Sequence, residues 1–471
     1  MSQKLLSRFK SKAPTGEKKY EIDMCNGPIL AKMLRFALPL MLSSVLQLLF
    51  NAADVVVVGK FAGDNSLAAV GCTGSLVNLM INLFVGLSVG ANVMTARHYG
   101  AKQDEELSNT IHTAMMLAVI GGGILTIVGM VFTGPILKLM STPEPVLPLA
   151  TLYLRIYFGG MLANMIYNFG SAILRAVGDT KRPMYYLTLA GVINVVLNLV
   201  FVIVFKLDVA GVAIATVISQ CVSAILVVRC MVRDKGSVHL DIKALHIDRT
   251  EFMNILRIGL PAGLQGCVFS LSNVVIQSSV NSFGETVVSG SAASSNLEGF
   301  VYVAMNAFHH ATLSFISQNF GAGKYSRIKR VMICGLGSVM VAGLVLGNLE
   351  VLFGRKLLSI YTSSPEVIEA GIVRLRINNT LYCLCGMMDV MVGVLRGIGY
   401  SVMPMIVSLL GACGTRLLWI ATVFQIPQFH KIEAVYIAYP ISWFLTFAVH
   451  FICFLAVKKK AIPTTDRVVM I

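Results

Sequence analysis

The sequence predicts an all-α polytopic membrane protein, with twelve transmembrane helices in two six-helix bundles related by a pseudo-two-fold axis along the membrane normal. Three observations carry that prediction. Hydrophobic residues make up 56% of 471 and charged ones 13%, with mean hydropathy +0.76, whereas soluble domains carry about 25% charge. Apolar runs long enough to cross a bilayer, which takes about 20 residues, recur from Leu34 to Val457 between short polar breaks. The chain also matches itself at an offset of 221 to 223 residues.

The crossings fall near 34–59, 65–96, 112–134, 150–174, 184–205, 210–232, 256–281, 287–317, 331–353, 372–395, 403–425 and 432–457. They divide the chain into a basic tail (1–29), an N-terminal six-helix bundle (30–232), a linker (233–251), a C-terminal six-helix bundle (252–457) and a second basic tail (458–471). The first tail carries Lys4, Arg8, Lys10, Lys12, Lys18 and Lys19. It lacks the apolar core and small-residue cleavage site of a signal peptide, so it is expected to be retained.

The formal charge of +15 is explained by where it sits. Lys and Arg concentrate in the tails and the even-numbered loops, against only Lys60, Lys138, Lys206, Arg355, Lys356 and Lys431 in the odd-numbered ones. That bias places both termini in the cytoplasm, beneath a cell membrane crossed many times. It is a topological signal and argues against nucleic acid as a partner.

In the self-match, Arg35 and Pro39 meet Arg257 and Pro261, and Gly100-Ala101 meets Gly321-Ala322. Pro143-Glu144 meets Pro365-Glu366, Leu174-Arg175 meets Leu395-Arg396, Gly178 meets Gly399, and Pro183-Met184 meets Pro404-Met405. Near the ends of the halves, Val212, Ile214, Ala215, Ile218 and Ser219 meet Val435, Ile437, Ala438, Ile441 and Ser442. The agreement falls largely at loops and helix starts, so shared apolar composition does not explain it. Six crossings per repeat is an even number, so the halves are parallel and enclose a cleft that rocking could open to either side. A duplicated scaffold without transport is the plainer alternative.

Polar side chains are costly in hydrocarbon, so intramembrane polar stripes are expected to face that cleft. Crossing 1 places Gln47, Asn51 and Asp54 on one face, crossing 4 adds Asn164, Asn168 and Ser171, crossing 5 adds Asn194 and Asn198, and crossing 6 adds Thr216. The second half offers Asn273, Gln277 and Asn281 on crossing 7 and Asn378, Tyr382, Cys385 and Asp389 on crossing 10. Arg416 lies deep in crossing 11 and needs an anion, for which Asp389 is the natural candidate, as a gate or as a structural pair. Arg175 and Arg396, at helix ends, read as topology and cap residues. Two acids against one deep arginine suggest a preference for cations.

Asn and Gln between helices also serve as interhelical glue, and a permanently paired acid is the inert alternative for Asp54. The cysteines form no CxxC pattern and the histidines no HxxxH, so no metal is expected. Gly321-Ala-Gly-Lys324 lacks the glycine spacing and preceding strand of a phosphate loop.

These residues resemble the prokaryotic multidrug and toxic-compound extrusion (MATE) transporters. The resemblance rests on twelve crossings in two halves, Pro39 followed by Gln47 and Asp54-Val-Val-Val-Val-Gly59, the Gln318-Asn-Phe-Gly-Ala322 loop, and Leu395-Arg-Gly397. It implies an antiporter, not an enzyme, that exports amphipathic organic cations as H⁺ or Na⁺ enters. It needs no cofactor, and a monomer among membrane lipids is expected. It also implies a cation-coupling set of Asp54, Asn194, Asn198 and Thr216, with Asn198 standing where many members carry a second acid. Asp389 matches the crossing 10 acid of some members, and the crossing 7 Glu of others is absent. The leading alternative is a flippase for a lipid-linked precursor, which would need a cleft rich in Lys and Arg. A membrane enzyme would need a nucleophile–base or metal cluster that the sequence does not display, and a channel would not need two rocking halves.

Overall fold

The computed structural model describes residues 20–140, 142–463 and 466, with the side chains of Asp64, Cys72 and Ser75 also outside the description. The basic residues Lys4 to Lys19 of the first tail lie outside it, as does most of the stretch after Pro463.

The first half runs α1 (Ile29–Phe61), α2 (Asp64–Ala101), α3 (Asp104–Leu139), α4 (Leu147–Gly159), α5 (Met161–Ala176), α6 (Lys181–Leu199) and α7 (Asp208–Arg233). The second half runs α8 (Arg249–Asn281), α9 (Glu285–Gly321), α10 (Tyr325–Leu352), α11 (Gly354–Leu358), α12 (Pro365–Thr380), α13 (Cys383–Gly397), α14 (Val402–Ser408), α15 (Thr415–Ala421) and α16 (Ile432–Ala461). Among the described residues nine helical segments are long and apolar enough to cross a membrane, or eleven if two bent pairs count as single spans. The 37-residue α9 makes the twelfth crossing. It is less apolar because it lies between other helices, burying Ser291, Ser294, Glu298, His309, Thr312, Ser314, Ser317, Gln318 and Asn319 away from lipid.

Two crossings expected to be continuous are broken. The fourth bends by 48° between α4 and α5 at Gly160, and the tenth by 45° between α12 and α13 at Leu381 and Tyr382. The two breaks occupy matching positions of the repeat. The backbone repeats as well: Gly63 (φ 87°) matches Gly284 (φ 90°), and Gly178 (φ 99°) matches Gly399 (φ 103°). These turns need a left-handed residue, which glycine supplies without a Cβ clash. Crossings 5 and 11 contain π-helical turns, Val200–Val204 and Leu409–Gly414, a feature frequent at functional sites.

The halves exchange parts of one helix each. Met33, Phe36, Ala37 and Leu40 of α1 pack in an apolar cluster with Phe308, Phe315, Met391 and Leu395 of the second half. Further along α1, Val57 and Val58 pack with Val202 and Val212 of their own half. In α8, Ile255 and Ile258 join the first-half core beside Leu107 and Ile173, whereas Ile276 and Val280 pack with Phe424 and Val435. Pro39 and Pro261, each inside its helix, sit near these changes of partner. A proline removes one ladder hydrogen bond and favours bending there.

The lobes are sealed on the face where α1 begins and α16 ends, the terminal face. There α2 and α8 cross on two glycine pairs. A Cβ built on Gly86 would lie 2.1 Å from Gly263 N, and one on Gly90 would lie 2.9 Å from Gly259 N. Both helices carry the Gly-x-x-x-Gly spacing, Gly86 to Gly90 and Gly259 to Gly263, which lets membrane helices approach backbone to backbone. Polar contacts reinforce the seal. His98 Nε2 lies 3.2 Å from Glu251 Oε2, Thr110 Oγ1 donates to the same oxygen at 2.8 Å, and Ser314 Oγ donates to Asn92 Oδ1 at 3.1 Å.

The segment before α1 lies across the sealed face. Tyr99 OH donates to Glu21 Oε2 at 2.8 Å, and Asn319 Nδ2 to the Met24 carbonyl at 3.1 Å, so it touches both halves. Burial works against the charged Asp23 carboxyl, but hydrogen bonds from Asn26 and the Cys25 N–H and the charge of Lys32 outweigh it and hold it below its ordinary value. Toward the opposite face, Asn82 Nδ2 donates to Ser270 Oγ at 3.2 Å.

Candidate functional site

Two cavities, of about 650 Å³ in the first half and about 710 Å³ in the second, share Asn82, Val85, Asn306 and His310 as wall residues. They are the two sides of the cleft above the sealed terminal face.

The first cavity gathers residues from α1, α5, α6 and α7, among other helices. Gln47, Asn51, Asp54, Asn168, Asn194 and Thr216 all line it. Asn198, one turn beyond Asn194, is fully buried behind them and donates from Nδ2 to Asp54 Oδ1. The same amide group lies 3.4 Å from Asn194 Oδ1, and Asn194 Nδ2 donates to Thr216 Oγ1 at 3.3 Å. Thr216 in turn donates to the Val212 carbonyl at 2.9 Å. The four residues of the expected coupling set therefore form one connected chain. Asn168 donates to the carbonyl and side-chain oxygens of Asn164, at 2.9 and 2.8 Å.

Asp54 has no Lys, Arg or His within ion-pair distance among the described residues. Asn198 Oδ1 is buried without a hydrogen-bond partner. Buried polar atoms are nearly always satisfied, so a lone carboxylate beside an orphaned amide oxygen is chemistry suited to a small cation. A hard cation such as Na⁺ takes oxygen ligands, and a proton needs only the carboxylate.

The second cavity is lined by Asn273, Gln277, Tyr382, Asp389 and Arg416, as the helix faces predict. Gln277 donates from Nε2 to Asn281 Oδ1 at 2.9 Å. Asn378 is not on its wall; it is buried and donates to Glu298 Oε1 at 3.3 Å. The expected pairing of Arg416 with Asp389 is also absent, since the two do not come within ion-pair distance. Asp389 is instead hydrogen-bonded to the Tyr302 side chain and feels the charges of Arg396 and, more weakly, Arg416. Arg416, 3% exposed, donates from Nε to Ser442 Oγ at 2.8 Å and lies 4.2 Å from the Tyr439 ring centre and 5.7 Å from that of Trp443. The bend of crossing 10 and the π turn before α15 rotate the two helices so that their charged residues do not meet.

Arg175 and Arg396 sit in the last turns of α5 and α13, as the helix-end reading expects, and both also reach the cleft. Arg175 lines the first cavity and Arg396 the second, where Arg396 Nη2 donates to Gln265 Oε1 at 2.7 Å. Sequence reasoning also missed Glu298 and Arg374. Arg374 grips Glu298 with two parallel bonds, Nε to Oε1 at 2.9 Å and Nη2 to Oε2 at 2.8 Å, and reaches Ser291 Oγ at 2.8 Å. The signal was present: Ser291, Ser294 and Glu298 recur at helical spacing in crossing 8.

Breaking that pair strands a buried carboxylate. Arg374→Ala is expected to destabilise the fold by about 3–5 kcal/mol, whereas replacing both partners by Met is expected to be near neutral. Thermal unfolding in detergent measures both, and equal losses in the two variants would contradict the account.

A two-lobed helical membrane fold around a polar cleft defines a membrane transporter. The chain belongs to the MatE family, whose model matches residues 39–200 and 261–420, one match in each half. It is 28% identical over 420 residues to the probable multidrug resistance protein YoeA of Bacillus subtilis (strain 168), covering 87% of this chain and 90% of that protein. It is 25% identical to a protein of Shewanella oneidensis named as an FAD transporter, covering 74% of this chain and 77% of the other. Among solved structures it resembles a MOP superfamily transporter from Pyrococcus furiosus, with a TM-score of 0.88 and 22% identity over 96% of this chain and all of that one. As a member of this family the chain is a transporter and not an enzyme.

Proposed function

We propose that this protein is a secondary antiporter of the cytoplasmic membrane, acting as a monomer with both termini in the cytoplasm. It exports small organic molecules as H⁺ or Na⁺ enters, and Asp54 is the group the ion neutralises. The observation that carries the proposal is the chain Asp54–Asn198–Asn194–Thr216, which holds one carboxylate with no basic partner among the described residues. With the terminal face sealed, the site opens toward the opposite, extracellular face. An ion arriving there removes the charge of Asp54 and so alters what holds α1 against α6. An ion can shift the equilibrium between lobe arrangements only by binding one of them better, and a half-buried acid hydrogen-bonded across two helices offers that difference.

The cationic preference expected from the sequence is not carried into this proposal, because Arg175 and Arg396 line the cavities alongside Arg416. Those arginines favour one second reading, a flippase for a lipid-linked anionic precursor. Proteoliposomes with separately imposed proton and sodium gradients test the first. Movement of organic solutes that follows one gradient is the expected result, and movement indifferent to both would rule out antiport and leave the flippase.

A further inference from the structure

We infer that the second cavity is an anion-accepting subsite, and that the substrate is a soluble organic anion bearing an aromatic ring. This rests on the transport reading and specifies its substrate class. Arg416 is held by a single protein acceptor, Ser442 Oγ, through Nε. Its two Nη groups have no acceptor among the described residues, although the side chain is buried and faces the cavity. Arg396, 6% exposed on the same wall, spends Nη2 on Gln265 and leaves Nε without a partner.

A guanidinium does not give up its proton in proteins, so a buried one facing a cavity is a favourable partner for an anion. Within the cavity the supply falls short. Glu298 and Arg374 neutralise each other, and Asp389 is the one remaining acid facing both Arg396 and Arg416. One positive charge is left over. His309 and His310 add no negative charge, and His309 is occupied by the Asp389 carbonyl at 2.6 Å from Nδ1.

The ring preference comes from the aromatic wall around Arg416. Tyr382 and Trp443 have ring centres 5.3 Å apart, and Tyr439 and Trp443 5.8 Å apart, and all three line the cavity. A phosphate or carboxylate group at Arg416 would take the paired N–H donors of its free Nη groups. The remainder of the ligand would then lie against those rings.

Trp443 is a built-in reporter, since the chain has two tryptophans and Trp419 is not on this wall. Trp419→Phe protein in neutral phosphatidylcholine nanodiscs would be titrated with phenyl phosphate, benzyl alcohol and benzyltrimethylammonium, following Trp443 emission. Phenyl phosphate is expected to quench saturably and most tightly. Arg416→Gln is expected to weaken it about tenfold or more, and Arg416→Lys, which keeps the charge without the fork, considerably less. Equal or tighter binding of the ammonium ligand, or unchanged phenyl phosphate binding in Arg416→Gln of native size-exclusion profile, would overturn the inference. Displacement of phenyl phosphate by phosphatidylglycerol in the disc would overturn the soluble source and assign the anion to a lipid headgroup. Binding is read without any gradient, so loss of gradient-driven transport would sink the antiport reading and leave this result standing, and the converse also holds.

Discussion

Asp54→Asn is expected to reduce ion-driven transport to the leak of protein-free liposomes while leaving a folded protein in the membrane. The substitution keeps the size of the side chain and an oxygen that Asn198 Nδ2 can donate to, so the packing of α1 on α6 is retained. What it removes is the charge that an ion neutralises in the proposed antiport cycle. Without it the ion no longer distinguishes the two lobe arrangements, and a ligand with equal affinity for both shifts nothing. The readout is uptake of a reporter solute in proteoliposomes under an imposed proton or sodium gradient, with size-exclusion behaviour as the folding control. Wild-type transport by Asp54→Asn would show that the coupling ion acts elsewhere.

Gly86→Val is expected to stop the cycle for a different reason, by preventing the terminal face from sealing. The added Cβ would meet Gly263 N at 2.1 Å, Gly263 Cα at 2.3 Å and Gly259 O at 2.8 Å. All three are backbone atoms, so no rotamer change relieves the clash and the helices must part. Overpacking of a tight contact costs typically 1–3 kcal/mol, and here it falls on the sealed arrangement. At the upper end it lowers the population of that state about 100-fold. Ser314→Cys in a background lacking the native cysteines provides the assay, because Ser314 is buried and bonded across the seal to Asn92. The introduced thiol is expected to react slowly with an impermeant maleimide from the terminal face in otherwise wild-type protein and rapidly when Gly86→Val is added. Equal rates would mean that the α2–α8 crossing does not set closure.

The seal also bears on how the lobes move. The inner part of α1 is built into the second-half core and the inner part of α8 into the first-half core, so opening the terminal face must expose apolar surface on both. Pro39 and Pro261 favour bending near the point where each helix changes partners, which the proposed rocking of the lobes would use.

Sequence alone determined the number of crossings, the twofold repeat and the faces on which polar residues gather. Apolar run length measures a bilayer directly, and helical periodicity fixes which side chains share a face. Asp54, Asn194 and Thr216 were legible on that basis, because their helices are regular where those residues sit. Which charged residues meet was decided only by tertiary structure. A bend between α12 and α13 and a π turn before α15 turn Asp389 and Arg416 away from ion-pair contact, while Arg374 finds Glu298. Arg175 and Arg396 are helix-end residues, as a linear reading has them, but only the tertiary structure shows that they also line the cavities. Periodicity specifies an angle around one helix axis; the rotation, tilt and breakage of that axis against its neighbours depend on packing between segments far apart in the chain.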